Sequence, residues 1–172
     1  MRKILLGVTG SIAAYKACEL VRLFVRSGDE VRVVMTDAAT RFVTPLTFQT
    51  LSRSRVYVDQ FAEPAEWRPE HVSLAEWPDL VLVAPATADI IAKMRYGLAD
   101  DLLSSVLLAT RAPIVAAPAM NDGMWENAAT QENVAAIVAR GVKLVGPAEG
   151  ELACGSGGKG RMAEVERIFA AV

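Results

Sequence analysis

The sequence predicts an α/β fold built on a doubly wound parallel sheet, and three patterns in it carry that prediction. Short, unbroken apolar runs recur along the chain, as expected of strands buried on both faces. Segments with apolar residues at helical spacing separate them. Alternation of the two is the pattern of helices packed on both faces of one parallel sheet.

Ile4 to Val8 is the first buried strand, and Gly7-Val8-Thr9-Gly10-Ser11 turns the chain. Ile12 to Arg26 follows, with Ala13, Ala17, Leu20, Val21 and Phe24 on one helical face, and Ser27-Gly28-Asp29 ends it. Val31 to Met35 is the second strand, leaving at Thr36-Asp37, so the first unit is βαβ with parallel strands. Ala38 to Ser52 reads as helix in pieces, and Tyr57 to Glu70, with Pro64 and Pro69, as a surface loop. Leu80 to Ala84 is the third strand, ending in Pro85-Ala86-Thr87-Ala88-Asp89. A helix runs from there to Met94 and breaks at Gly97; Asp100-Asp101 start another that reaches Thr110. Ile114 to Ala117 is the fourth strand, Ala128 to Arg140 a helix, and Val142 to Val145 the fifth strand. Gly146 to Gly160 carries six glycines, Cys154 and Lys159, and reads as a glycine-rich loop; Ala163 to Val172 closes as a helix.

A length of 172 residues fits a single domain spanning 1–172. The 52% hydrophobic content and mean hydropathy of +0.28 predict a well-filled core and apolar surface spent on a subunit interface. A net charge of −2 without a basic run argues against nucleic acid. No apolar run reaches the ~20 residues that span a bilayer, so no membrane role is expected. Met1-Arg2-Lys3 begins like a signal peptide, but the apolar stretch stops at Thr9-Gly10-Ser11. A buried strand and a cytoplasmic location are the better reading, with Cys18 and Cys154 reduced.

Ligands of such sheets bind beyond the carboxyl ends of the strands. Those ends carry Gly10-Ser11, Thr36, Pro85 to Asp89 and Pro118 to Asn121. Gly- and Ser-rich turns are common in α/β proteins, but four such exits together favour a backbone-lined site. The first turn opens a helix, whose free N–H groups and partial positive charge suit a phosphate. Ser11 can cap that helix or donate to a phosphate oxygen. The turn is neither the dinucleotide fingerprint nor a P-loop, which leaves a mononucleotide open. His71, the single histidine, could act as a base, although a lone surface histidine ordinarily does nothing. Asn121 could form a turn or hold a carboxylate. Cys154, among glycines near Lys159 and Arg161, is read as functional, Cys18 as core. His71 and Cys154 leave a Cys–His hydrolase open, and no residues have metal-ligand spacing.

At these residues the sequence resembles the homo-oligomeric flavin-containing cysteine decarboxylases, in particular the phosphopantothenoylcysteine decarboxylases. The matching stretches are Gly7 to Lys16, His71 to Ala75, Ala84 to Asp89, Ala99 to Leu103, Pro118-Ala119-Met120-Asn121 with Met124-Trp125, and Cys154-Gly155 through Gly160-Arg161-Met162. They keep the family's order over nearly the whole chain. The resemblance implies a flavodoxin- or Rossmann-like three-layer α/β/α fold. It implies FMN held by Gly10, Ser11, Ile12, Thr36, Phe42, Pro85, Ala86, Thr87, Ala88 and Ala119, with Ser104 assisting at the phosphate. Asp89 stands where many relatives have Asn. His71 matches the essential histidine, Asn121 the residue that binds the substrate carboxylate, and Cys154 the proton donor. Met124, Lys159, Arg161 and Met162 fall in the substrate-binding stretches.

The implied reaction is decarboxylation of the small molecule 4′-phosphopantothenoylcysteine to 4′-phosphopantetheine, in coenzyme A biosynthesis. FMN oxidises the thiol toward a thioaldehyde, which gives the electrons of the departing carboxylate somewhere to go. The glycines around Cys154 would form a lid. Relatives form trimers, some assembled further, with sites between subunits, and many are fused to phosphopantothenoylcysteine synthetase. Two other readings share the motifs: a decarboxylase of a peptide's C-terminal cysteine, and a regulatory flavoprotein bound to a phosphatase. The latter often lacks the cysteine or carries an acidic tail. Carriers or makers of a prenylated flavin lack the Pro-Ala-Met-Asn and cysteine segments present here.

Overall fold

The computed structural model describes residues 1–62, 67–151 and 157–172, apart from the side chains of Glu151 and Gly157. The chain runs β1 (Lys3–Val8), α1 (Ala14–Arg26), β2 (Glu30–Met35), α2 (Asp37–Thr40), α3 (Pro45–Ser52), β3 (Val56–Tyr57), α4 (Glu70–Glu76), β4 (Leu80–Ala86) and α5 (Ala88–Tyr96). It continues through α6 (Leu102–Ala109), β5 (Ile114–Pro118), α7 (Asp122–Glu126), α8 (Ala128–Ala139), β6 (Lys143–Leu144), β7 (Ala148–Glu151), β8 (Gly157–Arg161) and α9 (Val165–Ala171).

Strands β3-β2-β1-β4-β5-β6 form one parallel sheet. Alternate strand residues feed opposite cores, as the two-residue period of a strand requires. Ile4, Leu6, Val8, Leu82 and Ala84 meet the apolar sides of α1, α3 and α9 on one face. Leu5, Val81 and Val83 meet Leu74, Ile90, Ile91, Leu103, Val106 and Ile137, from α4, α5, α6 and α8, on the other. This is the predicted doubly wound, three-layer architecture.

The differences from expectation are local. The sheet has a sixth strand, β3, too short and half-buried to leave an apolar run. Tyr57 belongs to that strand and Glu70 to α4, so the irregular segment is shorter than expected. Arg53 closes α3 at φ 58, a left-handed position where glycine is the usual residue. The glycine-rich stretch expected as a loop supplies both arms of an antiparallel hairpin, β7–β8. The short α7 after Asn121 was not expected either.

Candidate active site

β1 crosses through α1 to β2 on one side, and β4 lies on its other side, so the sheet reverses direction between β1 and β4. A crevice beyond the strand ends is expected at that point. Pairing of β1 with β4 stops at Gly7 and Val83, and the β4–β5 register shifts between Val83 and Ala86, around a cis Ala84–Pro85 bond. Thr9, 2% exposed, links the separating exits: its hydroxyl donates to Pro85 O at 2.7 Å and accepts from Thr87 N at 3.2 Å.

The turn at Gly10–Ala13 follows. A Cβ on Gly10 would lie 2.6 Å from that of Ala38, so the close packing of this turn on α2 needs glycine. The amides of Gly10 and Ile12 make no hydrogen bond among the described residues. Ser11 is not the N-cap: α1 starts three residues later, Ala13 holds the cap position, and Ser11 Oγ accepts from Ala13 N at 3.2 Å. Ile12 and Phe42 are exposed beside the turn. Thr36 caps α2 through Ala39 N, and its own amide donates to Val8 O.

Pro85 and Ala86 are buried, Thr87 caps α5, and Ala88 is half-buried. Ala119, 3% exposed, donates its amide to Ala86 O, which ties the β5 exit to that of β4. Asp89 turns to Lys93 at 3.3 Å, which Asp100 and Asp101 also approach. Burial pulls the Lys93 ammonium down, but the Asp100 hydrogen bond and the neighbouring carboxylates outweigh it and raise its pKa. Ser104 is 3% exposed, and its hydroxyl is engaged in a capping box with Asp101.

Asn121 caps α7, its side-chain oxygen accepting from Gly123 N at 2.9 Å. One residue earlier, Met120 N donates to Gly160 O at 2.9 Å, joining β8 to the β5 exit. A Cβ on Gly160 would stand 2.3 Å from Met120 O, and one on Gly158 would stand 2.7 Å from the Asp122 side chain. These contacts explain glycines that composition alone reads as looseness. Met124 and Lys159 are exposed. Arg161 is engaged by Glu164. Met162, 1% exposed, packs in the core cluster. Cys154 lies outside the described residues.

His71 is the second residue of α4, half-buried rather than on an exposed loop. Since α4 leads into the amino end of β4, its own beginning faces the carboxyl edge of the sheet. It packs with Leu5 and Val34 of β1 and β2, whereas Asn121 leaves β5, beyond β4. The two predicted catalytic residues therefore stand on different elements, His71 on α4 and Asn121 at the exit of β5.

Sequence reading missed Lys16. Its ammonium is buried with no hydrogen-bond partner, and Glu164 Oε2 stands 3.6 Å away. A lysine three residues into a helix looks like a solvated charge, and only the packing of α1 on α9 reveals it as enclosed. A cavity of about 220 Å³ lies elsewhere, lined by Lys93, Leu98, Leu107, Ile137 and Arg140. Of the predicted site residues only Ser104 touches it.

The profile of the family described as Flavoprotein matches residues 1–172. The chain belongs to that family. It is 49% identical over 171 residues to the coenzyme A biosynthesis bifunctional protein CoaBC of Haemophilus influenzae, covering 99% of this chain and 43% of that protein. The chain thus spans less than half the length of this curated relative. A solved mutant PPC decarboxylase complexed with pantothenoylaminoethenethiol superposes with a TM-score of 0.89 at 30% identity, covering 99% of this chain and 95% of the other. The FMN-dependent cysteine decarboxylase SpaF gives 0.83 at 28% identity, covering 99% and 97%. The predicted fold and family are thereby shown.

Proposed function

We propose that this chain catalyses the FMN-dependent decarboxylation of 4′-phosphopantothenoylcysteine to 4′-phosphopantetheine, a step of coenzyme A biosynthesis. The observation that carries this reading is the hydrogen bond from Met120 N to Gly160 O beside the Asn121 cap. It anchors the β7–β8 hairpin, whose connecting segment bears Cys154, next to a side chain suited to a carboxylate. A protein that only carried flavin would need neither. The names of the CoaBC relative and of the PPC decarboxylase structure support the same reading.

The crevice residues fit FMN. The amides of Gly10 and Ile12 stand at a turn that opens a 13-residue helix, where a phosphate gains from both donors and dipole. Ala86 and Ala119 give a small, buried floor, and exposed Phe42 an apolar flank. When bound, FMN supplies a two-electron sink for the substrate thiol, which makes loss of CO₂ feasible. Asn121 holds the substrate carboxylate at the rim. His71 takes a proton from the substrate, and Cys154 supplies the one that completes the product thiol.

The same reading takes the chain as a cytoplasmic subunit of a homotrimer, or of trimers assembled further. Exposed Ile12, Tyr15, Phe42 and Leu46 lie on the elements that frame the crevice mouth, where a second copy would cover them. The synthetase of a bifunctional protein would lie outside the matched stretch. Among the described residues no helix is long and apolar enough to cross a membrane.

Likeness to SpaF favours a second reading, decarboxylation of a peptide's C-terminal cysteine. One assay separates the two. FMN-loaded protein is incubated without oxygen with phosphopantothenoylcysteine, its dephosphorylated form, or a cysteine-ended peptide, and the products are weighed by mass spectrometry. Loss of CO₂ alone from the phosphorylated thiol is expected. Turnover of the peptide alone would replace the proposal with the second reading.

A further inference from the structure

The Thr9 side chain bridges the β1 and β4 exits, between which the winding order of the sheet reverses. The β1–β4 ladder ends at Gly7 and Val83, two residues before it. Beyond that point Pro85 interrupts regular pairing, and its carbonyl lies in the register shift between β4 and β5. The Thr9 hydroxyl replaces the missing ladder. It donates its proton to Pro85 O at 2.7 Å and accepts from Thr87 N at 3.2 Å, while only 2% exposed. The next residues on one side are the Gly10–Ala13 turn, with its unpaired amides; on the other, Thr87 caps α5 through Ile90 N.

We propose that Thr9 is a positioning residue that sets the width of the cofactor crevice by holding the first turn against the Thr87 cap. The inference rests on the FMN reading above. Without the hydroxyl, Pro85 O and Thr87 N lose the partner that Thr9 supplies, and the exits part until water replaces it. Separation of the exits moves the Gly10 and Ile12 amides away from any group held against Ala86 and Ala119. Thr9 touches neither substrate nor cofactor in this account; it acts through the two turns.

The test is FMN affinity measured by fluorescence quenching, with no substrate present, so failure of the substrate reading does not affect it. Thr9→Val, nearly isosteric, is expected to weaken FMN binding at least tenfold, and Thr9→Ser to stay within threefold of the parent. Retention of parental affinity by the valine variant would overturn the proposal, as would a serine variant as poor as valine, since the methyl group would then matter. If the valine variant does not fold, the serine variant decides alone on the same threshold. Amide exchange at Thr87 in cofactor-free protein gives an independent reading: at least tenfold faster exchange is expected without the hydroxyl, and unchanged protection would contradict the bridge. If the parent protein bound no FMN, the exchange experiment would still decide whether Thr9 holds the exits together.

Discussion

Replacing His71 by Asn separates chemistry from binding, because His71 stands on α4 and the proposed FMN contacts come from the strand exits. Turnover is expected to fall at least a thousandfold while the bound flavin spectrum persists. Full activity of the variant would remove His71 from the reaction. Asp29 illustrates a different role for a single charge. Its carboxylate accepts from Arg2 Nη2 at 2.6 Å, Arg2 N at 3.0 Å and Ser27 Oγ at 3.0 Å, and is held down to about 2, chiefly by the Arg2 side-chain hydrogen bond. A depressed folded-state value stabilises the fold above the ordinary carboxylate pKa and is lost as pH falls through the folded one. The Asp29 side chain is 5% exposed but that of Arg2 is 45% exposed, so solvent screening reduces the effect to about 1–2 kcal/mol. Asp29→Asn is therefore expected to lower stability to denaturant by that amount at pH 7. The difference from the parent should disappear between about pH 4 and pH 2, and a constant difference across that range would contradict the assignment.

At the scale of elements, the hairpin is the part whose position depends most on glycine. Gly160→Ala would bring a Cβ within 2.3 Å of Met120 O and push β8 from the β5 exit. A stability loss of about 1–3 kcal/mol and a KM at least tenfold higher are expected, with FMN affinity unchanged. Weakened FMN binding would mean that the hairpin also shapes the cofactor crevice. That dependence was hidden in the sequence, where the same glycines read as a loop, because neither close approach nor strand pairing leaves a pattern in composition. The principal strands were legible, since Ile4 to Val8 and Leu80 to Ala84 are buried on both faces and need no polar alternation. β3 and α7 were not: each is shorter than its period requires. Of the expected site, the exits at Gly10, Thr36, Thr87 and Ala119 come together around one crevice. Capping of α6 by Ser104 and core burial of Met162 were not legible in the sequence, because both depend on how the chain packs. Lys16 was invisible for the same reason: only tertiary packing encloses it.

For the molecule as a whole, the reversal of the sheet between β1 and β4 places the proposed cofactor at the centre of the carboxyl edge. The hairpin is tied to the β5 exit at that edge by the Met120 N–Gly160 O hydrogen bond. Exposed apolar side chains such as Ile12, Tyr15, Phe42 and Leu46 accord with the proposed trimer. Light scattering of FMN-loaded protein is expected to give three chains per particle or a multiple of three, and a monomer that turns over substrate at full rate would contradict the assembly. The central claim, a flavin crevice that performs a decarboxylation without net oxidation, is tested most directly by the visible absorption of FMN-loaded protein before and after adding phosphopantothenoylcysteine in the absence of oxygen. The account predicts a yellow protein that releases CO₂ over many turnovers and finishes with its flavin oxidised. A protein that takes up no FMN, or that bleaches once and stays reduced, would contradict it.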